Sequence, residues 1–182
     1  MRRTHAVAAA LALVMSTGCA DAGVGGNPLA PDLALGRSSE REARTARRIP
    51  ASGEFQTFVD FSTLTLTPRG RNCRLEVDGE VLFTGTIEGT GSGHTSALVF
   101  APCADVAAAP PGTYPDVFRS RIEVEVSVDG QPATARMIYQ GRSAPGGAID
   151  GRFLLQGGVR GALKVEARIA VGGTYEGTVV VR

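Results

Sequence analysis

The twenty residues "RIEVEVSVDGQPATARMIYQ", Arg121 to Gln140, allow little besides an antiparallel β-hairpin. Ile122, Val124, Val126 and Val128 alternate with Arg121, Glu123, Glu125 and Ser127, a period of two that suits a half-buried strand and no helix. Asp129-Gly130 then supplies a two-residue turn of type I′ character. Folding there sets Val126 against Ala133, Val124 against Ala135 and Ile122 against Met137 on one face. The other face sets Glu123 against Arg136. Apolar residues meet apolar ones and opposite charges meet in the same register, so both faces specify one pairing.

Similar alternation runs from about Gly53 to the C-terminus, without long helical stripes. In "LKVEARIAVGGTYEGTVVVR" a three-residue loop of Gly172, Gly173 and Thr174 keeps the faces sorted. It pairs Val171 with Tyr175, Ile169 with Gly177, Ala167 with Val179 and Val165 with Val181. A further turn is expected at Asp78-Gly79 in "CRLEVDGEVLFTGTIEG". Phe55 to Phe61, Ser62 to Thr67, His94 to Phe100 and Gly151 to Gln156 are additional strand candidates. The expected body is therefore all-β: a single antiparallel barrel of about eight to ten short strands over residues 53–182. An immunoglobulin-like β-sandwich is the alternative, although the chain has no Trp to fill that fold's usual buried position.

The N-terminus is organised differently. Arg2 and Arg3 precede the apolar run "AVAAALALVM", Ala6 to Met15, which has signal-peptide length and is too short to span a bilayer. Ser16, Thr17 and Gly18 then lead into Cys19. This resembles the lipobox of bacterial lipoproteins, with Ser16 where leucine is usual. The resemblance implies cleavage of residues 1–18, lipidation of Cys19 and membrane attachment through the lipid. It implies a cell-envelope address, the outer membrane with the protein facing the periplasm or cell surface, since Ala20 rather than Asp follows the cysteine. Ordinary secretion is the alternative.

Residues 19–52 read as the lipidated N-terminus and a disordered tether. "ADAGVGGNPLAPDLALG" lacks periodicity, and a flexible stretch of this kind spans about 30 Å root-mean-square. Five arginines against two glutamates follow between Arg37 and Arg48. There Ser39 and Glu42 have capping-box spacing for a short helix that Pro50 would help to end.

Charge and cysteine content narrow the function. Arg2 and Arg3 leave with the signal, taking Lys+Arg from 19 to 17 against 18 Asp+Glu, so the charge passes from +1 to −1. A nearly neutral mature chain argues against nucleic acid as the main partner, since such proteins need a basic surface to displace counterions. Of three cysteines, Cys73 and Cys103 remain after Cys19 is modified. An even pair in an oxidising compartment favours a disulfide, worth roughly 3 to 4 kcal/mol in the chain-entropy model; two free thiols and a metal pair are the competing readings.

Three segments resemble bacterial proteins with the allene-oxide-cyclase-like, calycin-like barrel: "FTGTIEGTGSG" (Phe83 to Gly93), "GGAIDGRFLLQGG" (Gly146 to Gly158) and "ALKVEARIAVGGTYEGTV". The resemblance implies an antiparallel barrel and, from its plant members, an isomerase acting on a fatty-acid-derived epoxide. No segment matches the plant catalytic positions residue by residue.

The residues themselves spell no nucleophile elbow, phosphate loop or metal ligand set, and no cofactor is expected. The glycines of "GTIEGTGSG" read as turn and bulge residues between strands rather than a dinucleotide loop. Glu88, on one face with Thr84 and Thr86, and His94 each have two readings: a polar group at a pocket rim, or a solvent-facing residue. Tyr139 is core on its apolar face, or a pocket wall. Three functions follow: a barrel that binds a small apolar molecule, an interaction module presenting an apolar patch around the loop from Cys103 to Tyr114, or an acid–base enzyme using Glu88 and another carboxylate. No protein partner is identifiable from the residues.

Overall fold

A computed structural model describes residues 46–181. The expected signal peptide, Cys19 and the Ser39–Glu42 capping box lie outside the described residues.

Eight antiparallel strands follow in chain order: β1 (Arg47–Arg69), β2 (Asn72–Gly85), β3 (Ile87–Val99), β4 (Asp116–Val128), β5 (Gln131–Ser143), β6 (Ala148–Gly157), β7 (Val159–Arg168) and β8 (Gly172–Val181). A single short helix, α1 (Cys103–Ala108), interrupts the series between β3 and β4. Each strand pairs with the next, and β8 returns to β1 from Arg47↔Val181 to Gln56↔Gly172, so the sheet closes on itself. That closure rules out the sandwich alternative, which needs two separate sheets.

The hairpin of β4 and β5 has the expected register: Ile122↔Met137, Val124↔Ala135 and Val126↔Ala133 inward, Glu123↔Arg136 outward. Arg136 Nε donates to Glu123 Oε1 at 3.1 Å. Asp129 and Gly130 have φ of 52° and 75°, the left-handed pair that a type I′ turn demands.

Elsewhere the strands are longer than short runs of alternation suggest. Phe55 to Phe61 and Ser62 to Thr67 belong to one strand, β1, whose pairing with β2 shifts between Asp60 and Thr65. Asp78-Gly79 is not a turn. It lies in mid-β2, opposite Asp60 and Val59 on one side and His94 and Gly93 on the other. A Cβ on Gly79 would stand 2.7 Å from the Phe58 carbonyl oxygen, so this glycine serves close backbone approach. Gly89, Gly91 and Gly93 likewise sit within β3 rather than in a turn. Strand β1 opens at Arg47, upstream of the expected boundary at Gly53, and Pro50 lies inside it instead of ending a helix.

The closing hairpin also differs from expectation. Its turn is Ile169 to Val171, with Ala170 at φ 57°, and its pairs are Val165↔Tyr175, Ala167↔Gly173 and Arg168↔Gly172. The slip from the expected register is an even number of residues, so Val165, Ala167 and Tyr175 keep their inward faces.

One core fills the half of the barrel that holds the turns β2–β3, β4–β5 and β6–β7. Val124, Val128, Met137, Phe153, Leu163, Val165, Tyr175 and Val179 are fully buried there. The Tyr175 hydroxyl accepts from Ile87 N at 3.0 Å and lies 3.1 Å from the Thr84 carbonyl, tying β8 to the β2–β3 turn. A second, smaller cluster of Cys73, Val99 and Ala101, with Leu66, Leu75, Cys103, Val106 and Tyr114 against it, sits at the other end. The Cys73–Cys103 disulfide, with Cα atoms 4.8 Å apart, joins β2 to α1 within it.

Candidate functional site

The packed core stops partway up the barrel. Above it lies a cavity of about 570 Å³, within the range of small-molecule sites. Phe55, Val81, Met137 and Phe153 form its floor, and Val77, Ala97, Phe118 and Ile122 line its wall. The segment from Val106 to Tyr114 and the bulged part of β1 with Phe58, Phe61 and Leu64 surround the mouth. Phe58, Phe61 and nearby Val171 are more than half exposed.

The aromatic wall is built by cross-strand pairing. Tyr139 on β5 is opposite Phe153 on β6, and their ring centroids are 4.8 Å apart at 65°. Phe118 meets the other side of Tyr139 at 4.8 Å, and Phe55 approaches Phe153 at 5.0 Å. These edge-on contacts fix the rings by their quadrupoles as well as by buried area. Gly151 makes the arrangement possible, since a Cβ there would lie 3.1 Å from Tyr139 Cε2. The ring therefore leans over Gly151, toward the mouth.

A polar ladder occupies one side. Thr95, Ser120 and Tyr139 are successive cross-strand neighbours on β3, β4 and β5. Thr95 Oγ1 and Ser120 Oγ are 2.7 Å apart and satisfy each other. Nearer the mouth, Ser143 Oγ donates to Asp116 Oδ2 at 2.7 Å and accepts from Asp116 N at 3.2 Å. The Tyr139 hydroxyl is buried with no hydrogen-bond partner. Burial pushes the Asp116 carboxyl above the usual carboxylate range, against the opposing effect of the Ser143 hydrogen bond. Burial, with the Asp116 charge adding to it, also pushes the Tyr139 phenol well up, so it is a neutral donor.

Of the three residues singled out from the sequence, the cavity takes Tyr139 alone. His94 faces outward on β3, with Nδ1 2.8 Å from Asp78 Oδ1 and Nε2 3.8 Å from Glu76 Oε1. Glu88 is exposed on the outer face at the opposite, filled end, where its charge helps push the Tyr175 phenol up after burial, the larger cause. Neither converges with Tyr139; His94 lines a separate depression on the outer face with Asp60, Asp78, Glu80 and Ser92. In the Cys103-to-Tyr114 segment Val106 and Tyr114 pack into the smaller cluster and line the cavity, while Ala104, Ala107, Ala108, Pro110 and Pro111 are exposed.

Asp116 and Ser120 lie upstream of the alternating run that opens at Arg121, and Ser143 lies beyond its end at Gln140. Extending the Ile122-Val124-Val126 phase backwards places Ser120, Phe118 and Asp116 on the inward face, so the signal was present in the period of two. Among the described residues, no group of three or more His, Cys, Asp and Glu is arranged to hold a metal ion.

No family model matches the chain, and no curated protein does. A crystal structure of a protein of unknown function from the DUF3224 family of Shewanella oneidensis is similar to it, at 13% identity and a TM-score of 0.49. The match covers 75% of this chain and 98% of that one.

Proposed function

We propose that the barrel is a binding module for a small, largely apolar molecule held in the half-filled interior. The observation that carries this reading is the division of the barrel into a packed half and a cavity of about 570 Å³ walled by aromatic and aliphatic side chains. A barrel that served only as a scaffold gains stability by filling that volume, because each missing side chain forfeits dispersion and burial. The envelope address and the Cys19 anchor belong to the same proposal. The Cys73–Cys103 disulfide is compatible with an extracytoplasmic compartment. An isomerase built on Glu88 is not proposed, since that side chain lies outside the cavity.

The test uses N-phenyl-1-naphthylamine, which fluoresces in apolar surroundings. Wild-type protein is expected to bind it with one-to-one stoichiometry. Ala97→Phe, which fills the cavity from its wall, is expected to abolish binding while retaining the folded spectrum. Absence of binding to the wild type, or unchanged binding to Ala97→Phe, overturns the reading.

A further inference from the structure

The cavity's polar groups define the chemistry of its occupant, provided that the barrel binds as proposed above. Tyr139 is 7% exposed and its hydroxyl has no partner, although buried phenols normally find one. Leaving such a group unsatisfied carries its desolvation penalty with no bond to offset it. A site that accepts this cost when empty and recovers it when occupied is built for a ligand atom that accepts a hydrogen bond. Asp116 lines the same cavity with its second carboxylate oxygen open: Ser143 occupies Oδ2, and Oδ1 has no side-chain donor.

The charges along the wall restrict the ligand further. The charged residues lining the cavity are Asp78, Glu80, Asp116 and Arg168. Arg168 is held at the rim, where Nη2 donates to the Gly146 carbonyl at 3.0 Å, and Asp78 is paired with His94 on the outer face. The one charged group whose strand position faces inward beside Tyr139 is a carboxylate. An anionic head group would meet it with repulsion and lose hydration as well. An ammonium head could pair with Asp116, but it offers no acceptor to the Tyr139 proton and is itself costly to desolvate. A hydroxyl satisfies both groups, accepting from Tyr139 and donating to Asp116.

We infer that the cavity selects an uncharged apolar alcohol, with the hydrocarbon over Phe55, Met137 and Phe153 and the hydroxyl between Tyr139 Oη and Asp116 Oδ1. The choice is made by an unpaired donor and a half-used acceptor on the same cavity, a pattern that neither a carboxylate nor an ammonium completes.

Competition at pH 7.5 against bound N-phenyl-1-naphthylamine tests it, using 1-decanol, decylammonium, decanoate and 1-chlorodecane. Decanol is expected to displace the dye at the lowest concentration and decanoate at the highest. In Tyr139→Phe the affinity for decanol should fall about 5-fold, the worth of one hydrogen bond, and the preference for decanol over 1-chlorodecane should collapse. A variant that is merely less stable would weaken both ligands alike. In Asp116→Asn decanoate should gain on decanol. Tighter binding of decanoate or decylammonium than of decanol by the wild type, or an undiminished preference for decanol in Tyr139→Phe, overturns the alcohol assignment alone. Failure of the dye to bind the wild type overturns the binding reading and this one with it.

Discussion

At the scale of single residues, Asp116 shows how the cavity sets itself against stability. Its folded-state pKa lies above the ordinary value of 3.8 because burial penalises the carboxylate. For a carboxyl shifted in that direction, the penalty is absent below the unfolded value and appears as pH rises through the folded one. Asn in its place keeps an acceptor for the Ser143 hydroxyl and carries no charge. Asp116→Asn is therefore expected to melt higher than wild type at pH 7, and to lose that advantage at pH 3; thermal melts at the two pH values check it. A mutant that melts lower at pH 7 would mean that the Ser143 contact outweighs desolvation. The alternating strand gives a second, sharper contrast. Val124 is 2% exposed and Glu125, its neighbour, faces solvent. Val124→Asp is expected to cost more than about 3 kcal/mol in urea unfolding, and Glu125→Lys less than about 1 kcal/mol.

At the scale of elements, legibility depended on whether the turn and both faces could be read together. In β4–β5 the Asp129-Gly130 turn, the apolar pairs and the Glu123–Arg136 pair all constrain one register, and that register is the one found. In β7–β8 the inward faces were readable but the turn was not. Glycine pairs invite a turn assignment, yet Gly172 and Gly173 lie in the ladder and the turn falls on Ile169, Ala170 and Val171. A Cβ on Gly172 would collide with the Phe55 carbonyl, so glycine is required there by the approach of β1. Gly79 in β2 misleads for the same reason. Sequence alone does not distinguish a glycine that lets a chain turn from one that lets two chains touch, because the second depends on a strand remote in sequence. The distinction is measurable. Gly130, at φ 75° with open space around its missing Cβ, should cost about 1 kcal/mol as Ala through backbone strain alone. Gly79→Ala brings a steric collision with a neighbouring strand, and Gly172→Ala, at φ 120°, brings both collision and strain; each should cost about 2 kcal/mol or more. Urea midpoints for the three variants rank them; equal losses would place all three in the same class.

At the scale of the whole molecule, the barrel is two packing units joined by long strands. The larger core locks the end that carries both described termini of the sheet, Arg47 and Val181. The cavity end depends on the smaller cluster and on strand pairing that thins out. Past the Thr57 N to Val171 O hydrogen bond at 3.2 Å, the upper part of β1 has lost β8 and pairs with β2 alone. Its exposed edge is blunted by the bulge between Asp60 and Thr65 and by Pro68, two ordinary devices against edge-to-edge association. The cavity was the part least visible from sequence, since its existence depends on which inward positions of eight strands fall at the same height. The Cys73–Cys103 bond matters here because it fastens the β1–β2 hairpin to the segment across the mouth. Reduction is expected to lower the melting temperature by roughly 10 °C, as about 3 kcal/mol implies for a domain of this size. It should also act locally first, because the smaller cluster lacks the large buried side chains of the main core. Under reducing conditions that leave the protein folded, amide exchange is expected to quicken over residues 57–78 and 103–114 while residues 122–139 stay protected, and dye release should accelerate in step. Uniform loss of protection across both segments would show instead that the two clusters unfold as one unit, and that the mouth has no stability of its own to lose.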